Sequence, residues 1–129
     1  MPNYLYDTTL FIDYWKGIPA ALVLIDDARQ GKTVASYSPI SATELWQYPL
    51  LNRREEIEFF AMGLFLKEAA LTTKVATRAG TWLRAYRRNQ RRLLAADALI
   101  ASTASERGET IITRNTRHLK KFYSNVVSY

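Results

Sequence analysis

Strand-like and helix-like stretches alternate along this chain, and that alternation constrains its fold more than any other feature. Asn3 to Tyr6, rich in Tyr and Leu, reads as a first strand, and Thr9 to Lys16 as a short helix. Pro19 suits the first position of a second helix and Gly31 the position just past its end, with Ala20 to Arg29 rich in Ala and Leu between them. Thr33 to Tyr37 is a second strand candidate, broken by Pro39 and Ser41. Short and long helical patterns follow over Ser41 to Tyr48, Glu55 to Leu66, Thr72 to Arg88 and Leu94 to Arg107, with Gly108 as terminator. Glu68 to Leu71 reads as a short strand or a linker, Thr110 to Thr113 as a strand, Thr116 to Phe122 as a closing helix, and Val126 and Val127 as an edge strand. Strands alternating with helices imply a mostly parallel sheet covered on both faces.

A length of 129 residues suggests one domain, and a 48% hydrophobic fraction supplies a sizeable core. No repeat, linker or low-complexity tract interrupts it. The start of the chain lacks a basic stretch followed by an apolar run, and no apolar stretch approaches the roughly 20 residues that span a bilayer. The expectation is a cytoplasmic protein with no membrane partner.

Cysteine is absent and His118 is the only histidine. Disulfides, thiolate zinc sites, cysteine nucleophiles and multi-histidine metal sites are thereby excluded. Lys and Arg outnumber Asp and Glu by 18 to 12, for a net charge of +6, which favours anionic partners such as nucleic acid, an acidic protein segment or a membrane surface.

Open parallel α/β sheets bind ligands beyond the carboxyl ends of their strands. Asp7 follows the first strand, Glu44 lies in the first turn after the second, Asp97 opens the long apolar helix, and Asn115 follows the Thr110 to Thr113 strand. Each has a plain structural explanation as well. Asp7 and Asn115 suit helix caps, Ser41-Ala-Thr-Glu44 forms a capping box, and Asp97 offsets a positive helix terminus. Asp97 strains that explanation, because it stands alone among apolar residues in Leu93-Leu94-Ala95-Ala96-Asp97-Ala98-Leu99-Ile100-Ala101. A buried carboxylate needs a partner, and several packed together repel one another. A divalent cation answers both, and oxygen-only ligands favour Mg²⁺ or Mn²⁺. Such an ion acidifies a bound water and offsets charge on a reacting phosphate.

Four segments in order carry a family pattern: Tyr4-Leu5-Tyr6-Asp7-Thr8-Thr9-Leu10-Phe11-Ile12-Asp13, Ser41-Ala42-Thr43-Glu44-Leu45, Ala96-Asp97-Ala98-Leu99-Ile100-Ala101-Ser102-Thr103-Ala104 and Ile112-Thr113-Arg114-Asn115-Thr116-Arg117-His118-Leu119. Together they resemble PIN domains, most closely the VapC toxins of type II toxin–antitoxin modules. The resemblance implies a PIN-like three-layer α/β/α sandwich and endoribonuclease activity dependent on Mg²⁺ or Mn²⁺. It maps the family's invariant acids to Asp7, Glu44 and Asp97, as catalytic and metal-holding residues. Its fourth acidic position is Asn115 here, a neutral ligand that holds a second metal less firmly. Thr8 and Thr113 match supporting polar positions. Asp13 matches a frequent family residue, and its place in the following helix marks it as structural or peripheral. The resemblance also implies a homodimer, an RNA substrate and a cognate VapB-type antitoxin. Ile57 to Leu66 is expected to serve one of those interfaces or the core.

Arg84 to Arg92 holds Arg84, Arg87, Arg88, Arg91 and Arg92 with Tyr86 among them. The segment suits phosphate contact and base stacking, or simply forms a solvated helix face. Arg114 and Arg117 are further RNA-binding candidates. His118 reads as a packing or surface residue, with substrate contact open to it by position. Besides a ribonuclease toxin, two alternatives stand: a non-catalytic basic module that binds nucleic acid or protein, and a metal-dependent nuclease with another role.

Overall fold

The computed structural model describes residues 2–129. Its elements run β1 (Asn3–Tyr6), α1 (Thr8–Trp15), α2 (Pro19–Arg29), β2 (Val34–Tyr37), α3 (Pro39–Trp46) and α4 (Arg53–Ala61). A 3₁₀ turn at Met62–Leu64 leads into β3 (Lys67–Glu68), α5 (Thr73–Leu83), α6 (Arg88–Arg107), β4 (Thr110–Ile112), α7 (Thr116–Leu119) and β5 (Val126–Val127). Every strand pairing is parallel, in the order β3-β2-β1-β4-β5. The expected parallel sheet and three-layer arrangement are both present.

That strand order places the helices. The chain steps from β1 to β2 to β3 in one direction, then returns past β1 to β4 and β5. Right-handed crossovers therefore put α1 to α4 on one face and α5 to α7 on the other. The strands alternate to match. Tyr6 and Ile112 pack with Leu10, Phe11, Ile25, Leu45 and Phe59 in one core. Leu5 and Ile111 pack with Ile100, Ala101, Ala104 and Leu119 in the second. Each large side chain fully buried in this way contributes about 1.5–3 kcal/mol. The buried Tyr6 hydroxyl donates to the Leu24 carbonyl at 2.8 Å, tying β1 to α2.

Several boundaries differ from the sequence expectation. The helix expected from Ser41 begins at Pro39, with Ser38 as its cap, accepting from the Ile40 amide at 3.1 Å. Proline at the first helical position has no N–H to satisfy and a preset φ. The capping box proposed for Ser41 and Glu44 does not form, because Ser41 lies inside the helix and is fully buried. The helix expected over Glu55 to Leu66 starts at Arg53, capped by Asn52 and Glu55 in a reciprocal box, and tightens into the 3₁₀ turn after Ala61. Thr72 caps α5, which stops at Leu83. No Gly or Pro marks that stop. Tyr86 instead turns onto Phe122, with ring centroids 5.6 Å apart. The next helix starts early, at Arg88, so Asp97 sits well inside it rather than opening it. Gly108, at φ +66°, ends α6 as expected. The closing helix is a short turn, Thr116–Leu119.

Candidate active site

Strand order reverses between β1 and β4, and the crevice beyond their carboxyl ends is the usual ligand position in such sheets. Asp7 leaves β1 there, its amide donating to the Ile112 carbonyl at 3.1 Å. Across the gap, Thr113 follows β4 and donates its hydroxyl proton to Asp7 Oδ2 at 2.8 Å. The Thr9 hydroxyl lies 3.3 Å from the same oxygen. Each threonine is itself oriented from the β4–α7 loop. Thr113 accepts from the Asn115 amide at 3.0 Å, and Thr9 accepts from the Arg114 amide at 3.2 Å. Asp7 occupies the cap position of α1, yet its carboxylate caps nothing. It is buried, and burial pushes its pKa up against the lowering effect of the Thr113 hydrogen bond.

Thr8 governs Glu44. Its hydroxyl lies 2.6 Å from Glu44 Oε1 and 2.9 Å from Ser41 Oγ. Having one proton, it donates to the carboxylate and accepts from Ser41. The consecutive hydroxyls of Thr8 and Thr9 thus serve different acids, since neighbouring helical residues project about 100° apart. Burial raises the Glu44 pKa, partly offset by Thr8, and the Asp7 charge raises it further.

Asp97 faces the same cavity from α6. Burial first, then the charges of Asp7 and Glu44, lift its pKa to about 6. The basic side chain nearest to it among the described residues is His118, whose Nδ1 is 3.7 Å from Oδ2, beyond hydrogen-bonding distance. Asn115 stands at the cap position of α7 without capping it.

Asp7, Thr8, Thr9, Glu44, Asp97 and Asn115 all line one cavity of about 450 Å³, together with Gln47 and Tyr48. The four positions singled out along the sequence therefore converge. Among the described residues, no group of three or more acidic, His or Cys side chains is placed so as to hold a metal ion as it stands. What converges is three carboxylates lining one cavity, each raised in pKa first by burial. Thr9 and Ser41 were missed as site residues. The signal was present as two adjacent hydroxyls directly after the strand-end acid and as Ser41 one helical turn before Glu44.

The predicted basic residues divide. Arg87, Arg88, Arg91 and Arg92 are exposed, as is Arg117, and none joins an ion pair among the described residues. On α6, Gln90, Leu93 and Leu94 share the side bearing Asp97, whereas Arg88, Arg91 and Arg92 project from other flanks. Arg114 behaves differently: its Nε lies 3.3 Å from the buried carboxylate of Asp13. The segment from Ile57 to Leu66 serves both expected uses. Phe59, Met62 and Leu66 are core, while Ile57, Phe60 and Leu64 are exposed.

An all-parallel sheet with clustered acids at its switch point defines a class of α/β proteins with a polar cavity at the strand ends. Within that class, a family model described as PIN domain matches residues 4–124. The chain belongs to the PIN domain family. It is 32% identical over 121 residues to Ribonuclease VapC19 of Mycobacterium tuberculosis, covering 92% of this chain and 93% of that protein. It is 30% identical over 118 residues to Ribonuclease VapC10 of the same organism, covering 92% and 86%. Among solved structures, a toxin–antitoxin complex from Klebsiella pneumoniae aligns at TM-score 0.70 and 23% identity, covering 96% and 95% of the two chains. DNA-bound VapBC from Salmonella typhimurium aligns at TM-score 0.70 and 20% identity, covering 100% and 98%. These two likenesses speak for the fold. No single helix among the described residues is long and apolar enough to cross a membrane.

Proposed function

We propose that this chain is the toxin of a toxin–antitoxin pair and acts as an endoribonuclease dependent on Mg²⁺ or Mn²⁺. The observation that carries the proposal is the meeting of Asp7, Glu44, Asp97 and Asn115 on one cavity at the sheet's switch point. The names of the two Mycobacterium relatives support ribonuclease action, and the toxin–antitoxin complexes among the fold's neighbours support a VapB-type partner.

Asp7, Glu44 and Asp97 would hold the cation, with Asn115 as a neutral neighbour. When bound, the ion supplies Lewis-acid stabilisation of phosphate charge and acidifies water at neutral pH. The protein's own groups do the rest. Thr113 and Thr9 fix Asp7, and Thr8 fixes Glu44, so both carboxylates meet a substrate already oriented. Asp97 has no hydrogen-bond donor among the described residues, which leaves its carboxylate free to orient the attacking water or to take a proton from it. The water oxygen bonds to phosphorus, the bond from phosphorus to O3′ breaks, the departing O3′ takes up a proton from solvent, and the products carry a 5′-phosphate and a 3′-hydroxyl. The exposed arginines of α6 and Arg117 would meet flanking RNA phosphates. The exposed Ile57, Phe60 and Leu64 offer an apolar surface to the antitoxin or to a second copy of the chain.

Induction in cells tests the proposal. Wild-type chain arrests growth, and Asp7→Ala, Glu44→Ala or Asp97→Ala each relieves the arrest. Arrest undiminished in all three variants would instead favour a non-catalytic basic binding module.

A further inference from the structure

Asp13 is buried in α1, one residue beyond Ile12, which lines the acidic cavity. A buried carboxylate at that depth calls for partners, and two converge on it. The Tyr129 hydroxyl donates to Asp13 Oδ2 at 2.6 Å. Arg114 Nε lies 3.3 Å from the same oxygen. The Arg114 side chain is nonetheless about half exposed, and its terminal nitrogens form no other ion pair or hydrogen bond among the described residues.

The main chain of Arg114 is pinned as firmly. Its amide donates to Thr9 Oγ1, which touches Asp7 Oδ2, and its chain neighbours are Thr113 and Asn115. Arg114 is therefore held beside the acidic cavity by its main-chain hydrogen bond to Thr9 and by the ion pair of its Nε with Asp13, and its terminal nitrogens are left over. A guanidinium ion-paired on its Nε side leaves its outer edge free, the edge that suits a phosphate's paired oxygens.

We propose that Arg114 is a phosphate clamp of this site, and that buried Asp13, braced by Tyr129, is the residue that positions it. The sequence marked Asp13 only as structural or peripheral. The inference rests on the reading of RNA as ligand, and it asks more of these residues: Asp13 acts on RNA through Arg114 and never touches it.

Charge gives the clamp a distinctive signature. Asp13→Asn removes a negative charge beside the site, so general electrostatics makes RNA bind tighter. A positioning role makes it bind weaker, because Arg114 loses its anchor. The probe is fluorescence anisotropy of a short, labelled single-stranded RNA in EDTA across a salt titration. Arg114→Ala is expected to weaken binding about 10-fold and to lower the slope of log K against log salt by about one. Asp13→Asn is expected to weaken it similarly although Arg114 remains, and the double variant to add little to either single change. Tyr129→Phe, which keeps the carboxylate, should shift binding in the same direction by less, and it stands in if Asp13→Asn fails to fold. Arg114→Lys should recover only part of the affinity. Wild-type binding by Arg114→Ala, tighter or unchanged binding by Asp13→Asn, additive losses, or no binding by the wild type would each overturn the clamp. RNA bound in EDTA with these variant effects, yet left uncut in Mn²⁺, would support the clamp and refute the proposed hydrolysis.

Discussion

Thr113, just past β4, donates a 2.8 Å hydrogen bond to Asp7, just past β1, and so ties the two strand ends together at the sheet's switch point. Thr113 is fully buried, and the Asp7 carboxylate is held by the hydroxyls of two threonines. Thr113→Val keeps the shape and removes the donor. The expected result is a loss of Mn²⁺ affinity of about 10-fold or more, the usual cost of losing a support to a ligand. Thr113→Ser should stay near wild type. Titration calorimetry with Mn²⁺ reads both, and unchanged affinity in the valine variant would show that Asp7 is held in place without Thr113.

The three acids should make the metal-free protein sensitive to pH in a stated direction. Burial, then the charges of Asp7 and Glu44, push the Asp97 carboxyl from its ordinary 3.8 up to about 6 in the folded protein. A raised folded pKa means that the folded state keeps its proton longer. The stabilising contribution is therefore full below about 4 and disappears as pH rises through about 6. Burial raises Asp7 and Glu44 in the same direction. Metal-free protein should be more stable to urea at pH 5 than at pH 8, and Asp97→Asn should flatten that difference by on the order of 1 kcal/mol. Mn²⁺ should restore stability at pH 8 in wild type and not in the variant. Greater metal-free stability at pH 8 would contradict the crowding of these carboxylates.

Ser38 takes the capping role that the sequence suggested for Ser41. Ser38 caps α3, whereas Ser41 lies buried against the Thr8 hydroxyl that serves Glu44. Ser38→Ala should cost about 1 kcal/mol of stability and leave RNA cleavage unchanged. Ser41→Ala should slow cleavage by loosening Thr8, with a smaller effect on folding. Denaturation curves and cleavage rates on the same two variants decide it, and the opposite assignment would restore the capping box.

Much of this was legible beforehand because it depended on local pattern. Short apolar runs between Gly, Pro and helix signals give β1, β2, β4 and the parallel sheet, since parallel strands require crossover helices. Asp97 stood out because an isolated carboxylate in an apolar helix has few structural uses. Non-local packing hid the rest. Nothing local tells that Tyr86 turns onto Phe122 and splits the basic segment between two helices, so Asp97 was misplaced at a helix start. The burial of Asp13 beneath Tyr129 and Arg114 joins positions more than a hundred residues apart, and no periodicity reports it.

The arginines of α6 should tune affinity without choosing sequence. Arg88, Arg91 and Arg92 project away from the side bearing Asp97, so they can reach only flanking phosphates. Converting Arg91 and Arg92 to Gln should lower the salt slope by about two and weaken binding evenly across RNA sequences. A change in which sites are cut, at unchanged slope, would place these residues against bases instead.

The most direct measurement is cleavage of total RNA by purified wild-type protein and Asp97→Asn, each with Mn²⁺ and with EDTA. Discrete fragments bearing 5′-phosphates should appear only with wild type and Mn²⁺, and EDTA or the variant should abolish them. Equal cleavage by Asp97→Asn, or cleavage that persists in EDTA, would contradict a metal-dependent site built on Asp7, Glu44 and Asp97.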